Sequence, residues 1–482
     1  MGRRIVEGTG VLMDRRPSGP ERGVALLAVV LVLFAIGGSS ATFVTLMSRQ
    51  QAAAGMRSRT LAAAVLAEAG IHRALAVLEA PAALSGTGRG WRPMEYSETL
   101  SAGILPGRFT VSVTDQADGA VLITSAAEVG GVARRLRARV YLASPALLVA
   151  LYAPGMVQLQ GPPARTFILP YGAGVGDRPW VHIATARELW FPRSDILLNH
   201  PTSIPEFGPG PADGLGTPAS LKGVGRSDPV RVLLTRDAAL TIGRPNARVD
   251  DQQLQAMGVQ IREMRLPALQ SLPPLPEVDR AYFRARAAAN TANAALNAAA
   301  GTVAGNADLI HKPDSLYSAQ EFDQIQAYLS ALAVPPPLRG PVYVQGALLL
   351  GDGQRLHLVD GALVVEGAVY LSHRSVLEVV HTQATRTQPG LIALDRSTLV
   401  VTEGAVLRVH GLLYATRTLA VDDGARVDVV GAVLTGDPVL SFRNSGGLVV
   451  VRYDPAVMGT PGLRLPPDAP VVAWAAAWEE LP

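Results

Sequence analysis

At 482 residues the chain is too long for one compact core, so two or three domains are expected. Cysteine is absent, which excludes a disulfide framework, a thiolate metal site and a thiol nucleophile. The net charge of +3 is small for this length, and a nucleic-acid surface would need basic residues gathered on one face. Only Arg134, Arg135, Arg137 and Arg139 cluster, and the last three alternate along an expected strand as a solvated face does, so no nucleic-acid partner is expected directly.

Residues 1–23 form a polar leader carrying Arg3, Arg4, Arg15, Arg16 and Arg22 against Glu7, Asp14 and Glu21. By the positive-inside rule this end stays in the cytoplasm and the remainder is exported. An uncharged stretch follows from Gly23 to Ser48, bounded by Arg22 and Arg49. As a helix it would be about 39 Å long, enough for a bilayer core of about 30 Å. No proline falls between Pro20 and Pro81, and 50–79 is dominated by alanine, leucine and arginine, all good helix formers. One long helix over 24–80 is expected, membrane-spanning to about residue 48. Beyond the membrane, Leu61, Ala64, Ile71, Leu75 and Leu78 fall on one stripe, with Arg59, Glu68 and Arg73 off it or at its edge. Such a stripe needs a partner surface. Residues 81–143 supply one as a small β-meander domain, with strands at 107–115, 119–128 and 131–142 joined by turns at Asp118-Gly119 and Gly130-Gly131.

Residues 144–276 are rich in proline and glycine with short apolar runs, an irregular β-rich region where strands alternate with wide loops. A helical insert over 277–338 follows Pro273, Pro274 and Pro276 and closes at Pro335, Pro336 and Pro337. It holds an alanine-rich segment from Val278 to Ala300 and a helix from Ser318, whose cap pairs with Glu321 three residues on. From 339 to 482, strands of three to five residues alternate with recurring Gly-Ala pairs, at Gly346, Gly361, Gly367, Gly404, Gly424 and Gly431. Short strands with single-glycine corners suit a stacked β-solenoid. Irregular spacing keeps a β-sandwich as the alternative. The tail, with Trp474 and Trp478, reads as a final strand and a cap on the solenoid, or as a tail docked back on it. The expected fold class is therefore α+β and all-β: a long N-terminal helix, transmembrane in its first half, with a small β-meander domain, then a β-solenoid-like domain with a helical insert.

Signatures of catalysis are missing: there is no nucleophile elbow, no H-E-x-x-H and no P-loop. Gly172, Gly174 and Gly176 lack the spacing of a phosphate loop. Of the eight histidines, only His373 with His381, or His357 with His410, could meet across neighbouring coils, and either is more often a structural or surface pair than a metal site. Asp422-Asp423 and Asp250-Asp251 sit at expected turns, where aspartate is favoured for backbone bonding. No catalytic residue, cofactor-binding residue or metal ligand is assigned, and no enzyme activity is expected.

Two processing routes compete at the N-terminus. In one, Val24 to Ile36 is the core of a secretory signal, broken by Gly37-Gly38 and cleaved near Ser39-Ser40-Ala41. In the other, the cut precedes the apolar segment and the helix is retained. Glu21-Arg22-Gly23 before the apolar run, with Leu66-Ala67-Glu68-Ala69-Gly70-Ile71 on the exported half, resembles the N-terminal region of PilX-type minor pilins and K-type pseudopilins. The resemblance covers sixty to eighty residues and implies cleavage by a prepilin peptidase between Gly23 and Val24. It also implies residence in the inner membrane, and packing of the helix against other pilins or pseudopilins in a type IV pilus or type II secretion filament. Most pilins carry glutamate five residues after the cut, where this chain has Ala28; the K-type pseudopilins lack it too, which fits a minor or tip role. The helix positions expected to serve membrane or filament are Leu26, Leu27, Ala28, Leu31, Phe34, Leu61, Glu68, Ile71 and Leu75. The function expected is that of a bacterial minor pilin-like subunit displaying a large extracytoplasmic domain to a surface or polysaccharide. The alternative is a single-pass anchored β-helical protein that binds or processes polysaccharide.

Overall fold

The computed structural model describes residues 19–80, 90–102, 105–116, 119–160, 165–170, 181–191, 197–198, 230–234, 238–242, 261–265, 272–394, 398–465, 469 and 471–481. The leader up to residue 18, Asp118, the Gly172–Gly176 loop and Asp250-Asp251 lie outside these residues.

Helix α1 runs unbroken from Gly19 to Glu79, 61 residues, with its one proline, Pro20, in the first turn where proline is tolerated. Its last third buries Ala63, Leu66, Ala67, Gly70, Ile71, Ala74 and Leu78, an i, i+3, i+4 line. This line packs on an antiparallel sheet of β1 (Tyr96–Ala102), β2 (Leu105–Asp115), β3 (Val121–Val129) and β4 (Val132–Ala143). Phe109, Val111, Ile123 and Val140 meet the helix in one core cluster. Alternation in β3, with every second residue from Val121 to Val129 buried, is what a half-covered sheet demands. Leu61 departs from the expected stripe. It is 68% exposed, because two residues on a helix lie about 200° apart and Ala63 takes the sheet-facing side.

The sheet has five strands where three were expected. β1 lies upstream of the expected first strand. The fifth, Val472–Leu481, returns from the far end of the described chain and pairs antiparallel with β4 from Val472↔Ala143 to Leu481↔Arg135. The tail therefore completes the small domain's sheet instead of capping the distal strands. Left open, β4 would present a row of unpaired backbone groups, and the returning strand satisfies them. Trp474 stacks on Tyr141 at 5.9 Å, and the Ala473 amide donates to Glu79 at 2.8 Å, tying the strand to the end of α1.

Among the described residues, the strands between Ala143 and Val472 form a 16-stranded sheet, an 8-stranded sheet and a two-stranded pair of Glu277–Val278 with Leu463–Arg464. Their order is not the chain order. One path through the larger sheet runs Leu316–Ser318, Val342–Gln345, Leu363–Val365, Leu391–Ala393, Val406–Ala415, Arg426–Thr435, then Val149–Ala153, Val181–Thr185, Val230–Leu234 and Ile261–Arg265, all in parallel. The smaller sheet makes the same junction, where Leu440–Ser445 pairs with Met156–Gln160. The chain thus joins the ladder in its middle at Val149 and proceeds to one end. It crosses back through the helical insert and fills the other half from the opposite end. A strand at Val376–Val380, absent from the expected series, joins Arg355–Val359 to Val406–Ala415.

Two of the expected short strands are halves of bent ten-residue strands, Val406–Ala415 and Arg426–Thr435, which turn at Gly411 (φ 90°) and Gly431 (φ 151°). A side chain at Gly431 would strike the Gly411 carbonyl, so only glycine lets successive levels approach here. Another column of corners uses paired left-handed residues: Asp352-Gly353, His373-Arg374, Glu403-Gly404 and Asp423-Gly424.

The insert comprises α2 (Arg280–Ala288), α3 (Ala294–Ala304), α4 (Ala307–Ile310) and α5 (Ala319–Ser330). The alanine-rich segment breaks between α2 and α3. Asn290 and Asn293 there donate to the Arg339 carbonyl, and Asn293 also accepts from the Arg339 amide, so both side chains serve the neighbouring strand. The cap foreseen at Ser318 is a reciprocal capping box with Glu321.

Candidate functional site

The first half of α1 is the feature without a partner inside the molecule. Its apolar window has a mean hydropathy of 2.3 and none of it is buried. Leu27, Leu31 and Phe34 are 62%, 61% and 76% exposed, and Ala28 is exposed beside them. Gly23, Val24 and Leu26 lie on the same helix, their side chains outside the described set. Four of the five hydroxyls from Gly37 to Ser48 bond to carbonyls of their own helix. Ser39 donates to the Ala35 carbonyl at 2.6 Å, Thr42 to Gly38 at 2.8 Å, Thr45 to Ala41 at 2.7 Å and Ser48 to Thr45 at 2.9 Å. Every polar side chain from Gly37 to Ser48 that could trouble a hydrocarbon environment, Ser40 apart, is thereby satisfied on its own helix.

The second half of α1 behaves differently. Ile71 is fully buried and Leu75 packs at the margin of the same cluster, whereas Glu68 points away from the sheet and pairs with His72 at 3.6 Å. The Ala-Glu-Ala-Gly segment acquires a physical meaning here. A Cβ on Gly70 would meet Ser125 Oγ and come within 2.9 Å of Phe109, so this glycine marks a close approach of helix to sheet. An isolated glycine inside a strong helical pattern is the signal that could have located that contact.

Ala53, Met56, Arg57, Thr60, Leu61 and Ala64 of α1, with Arg134 and Glu480, line a shallow, open depression. Arg134 and Glu480 face each other at 3.4 Å. The arginine row of β4 is engaged again at Arg137, which lies 3.7 Å from Glu479 of the returning strand.

The histidine pairs expected from sequence do not form. His381 lies instead beside His410, whose Nδ1 accepts from the His381 amide at 3.5 Å, while His373 pairs with Glu403 at 3.0 Å. The extra strand at Val376–Val380 changes which levels are neighbours and so which histidines meet. His381 is 1% exposed, its Nε2 contacts the Pro389 carbonyl at 3.2 Å and its Nδ1 has no partner. Burial first, then the proximity of His410, pushes its pKa down to about 4. Asp422 and Asp423 do sit at a turn, Asp423 with φ 49°, and Asp422 is held by Arg443 at 2.5 Å. Among the described residues no three histidine, aspartate or glutamate side chains converge as a cation cage.

No family model matches the chain, and no curated protein matches it. Among solved structures, the competence-associated pilin ComZ from Thermus thermophilus aligns over 88% of this chain and 97% of its own, at 14% identity and a TM-score of 0.28. A likeness at that score fixes neither fold nor function.

Proposed function

We propose that this chain is a pilin-like structural subunit, a minor pilin of a type IV pilus or a pseudopilin of a type II secretion filament, and that it acts without catalysis. The observation that carries the reading is the divided character of α1. One unbroken helix has a first half that nothing covers and a second half that is a wall of the small domain's core. A plain anchor needs no rigid continuation of this kind, whereas a filament subunit must pass its apolar rod from lipid to neighbouring subunits without unfolding the domain behind it. The self-bonded hydroxyls suit both surroundings.

In this reading the N-terminus lies in the cytoplasm, the first half of α1 resides in the inner membrane, and a prepilin peptidase cuts between Gly23 and Val24. The cut spares nearly all of α1. The parallel ladders support a β-solenoid, in which each level repeats the register of the last, as in Leu348↔Val369↔Leu399↔Leu419. Placed at the end of α1, this region would face outward to a surface, a polysaccharide or a partner pilin. Mass spectrometry of the mature N-terminus, with the sheared filament fraction probed for the protein, tests the proposal. A first residue of Val24 and recovery in filaments support it; a start near Thr42 or an intact leader overturns it.

A further inference from the structure

We propose that Leu272–Pro276 is a polyproline II ligand bound by its own chain, with Tyr152, Leu434 and Tyr414 as its receptor, and that the pair splints the seam where the two halves of the parallel ladder meet. The splint is independent of how the chain assembles with others.

The segment reads Leu-Pro-Pro-Leu-Pro. Proline fixes φ at about −65° and pushes the residue before it into extended backbone, so Leu272, Pro273 and Leu275 are all biased towards polyproline II. Its three prolines have no N–H, so the segment cannot join the ladder as a strand. Its sides repeat every third residue, as that helix requires. Leu272 is buried and Leu275 packs on the main core, Pro276 is buried and Pro273 half-buried, and Pro274 is exposed.

The receptor has the same period. Tyr414 pairs in register with Leu434, and Leu434 with Tyr152, so the two tyrosines stand two strand spacings apart, about 9–10 Å. One turn of polyproline II, three residues, rises about 9 Å. The carbonyls of Pro273 and Pro276 lie one turn apart and accept from Tyr152 and Tyr414, the latter at 3.0 Å. Between them Ser144 donates to the Pro274 carbonyl at 3.4 Å. Both phenols are buried, at 2% and 4% exposure, and burial raises their pKa, so they remain donors. Docking of a preformed Pro-x-x-Pro segment on an aromatic-lined surface is a way proteins recognise one another. Here ligand and surface are one chain.

The place of the site gives it a task. Tyr152 belongs to the strands before the helical insert and Tyr414 to those after it, and on this face the halves are joined at Val433↔Leu151 and Leu434↔Tyr152. The strap bonds to both sides of that joint.

The test uses the full-length protein in detergent and a fluorescent peptide of residues 270–278. Leu272→Ser with Leu275→Ser removes the strap's apolar anchors and should open the site. This variant should bind the peptide saturably, whereas the native protein, its site filled, should not. Adding Tyr414→Phe should weaken that binding about threefold or more, and a peptide with its prolines changed to alanine should not bind. No binding to the folded variant, equal binding to the native protein, or equal binding of the alanine peptide overturns the proposal. Hydrogen exchange on Tyr152→Phe/Tyr414→Phe decides the matter even where the strap variant fails to fold. Amides of 149–153 and 426–435 should exchange about threefold faster or more, with those of Leu348–Leu350 unchanged. An unaltered rate at the seam overturns the splint.

Discussion

Gly70 and Ser125 form a tight contact between α1 and the sheet, and the serine hydroxyl is buried there without a hydrogen-bond partner. In a free helix Gly→Ala would stabilise by about 1 kcal/mol, but here the added methyl meets Ser125 Oγ and Phe109. Gly70→Ala should therefore destabilise by about 1–3 kcal/mol. Ser125→Ala, which removes an unsatisfied hydroxyl, should be neutral or stabilising, and the double variant should recover part of the loss. Urea unfolding of the four proteins measures this coupling. A second residue-scale expectation concerns His381. Its folded pKa of about 4 lies below the ordinary value of 6.5, so the unfolded chain takes up the proton first as pH falls. Stability is intact above pH 6.5, declines between 6.5 and 4, and has lost about 3 kcal/mol of this contribution below 4. Unfolding measured from pH 7.5 to 4 should show that slope, and His381→Gln should flatten it, since an amide can still donate to the Pro389 carbonyl.

At the scale of elements, the corner column separates two ways of making one turn. Three corners place glycine at the second left-handed position, at Gly353, Gly404 and Gly424, while the fourth places Arg374 there with φ 60°. A non-glycine residue in this region is strained by about 1–2 kcal/mol, offset in part by the extra freedom glycine has when unfolded. Arg374→Gly should raise stability by up to about 1 kcal/mol, read as a higher denaturation midpoint with an unchanged slope. Two of these corners, at Gly404 and Gly424, were legible as Gly-Ala pairs beside short strands, whereas those at Gly353 and His373-Arg374 carry no such pair; α1 was legible because no proline falls between Pro20 and Pro81. Leu61 was misplaced because alanine, leucine and arginine surround α1 on all sides, so the buried line had to be chosen by the sheet. The histidine pairs failed for a related reason: one unrecognised strand, Val376–Val380, lies between Arg355–Val359 and Val406–Ala415 and separates His357 from His410.

At the scale of the molecule, pairing between distant strands was beyond local pattern altogether. Nothing near Leu151 says that its partner is Val433, and nothing near Val472 says that it belongs beside β4. Tyr453 donates to the Leu147 carbonyl at 3.0 Å where the chain enters and leaves the parallel region, so both connections to the small domain run side by side. Deleting 472–482 should uncouple the two domains. Calorimetry should then show the small domain melting ahead of the parallel region, in place of one transition in the full chain. The returning strand also imposes a sequence of events. β4 and its partner stand roughly 330 residues apart, and closing so long a loop is slow unless the intervening chain has already become compact. The parallel region must be built before the small sheet can be finished. Completion of that sheet is then a local report that the distant half has folded, and a chain with a defective parallel region would keep one edge of its small domain unzipped.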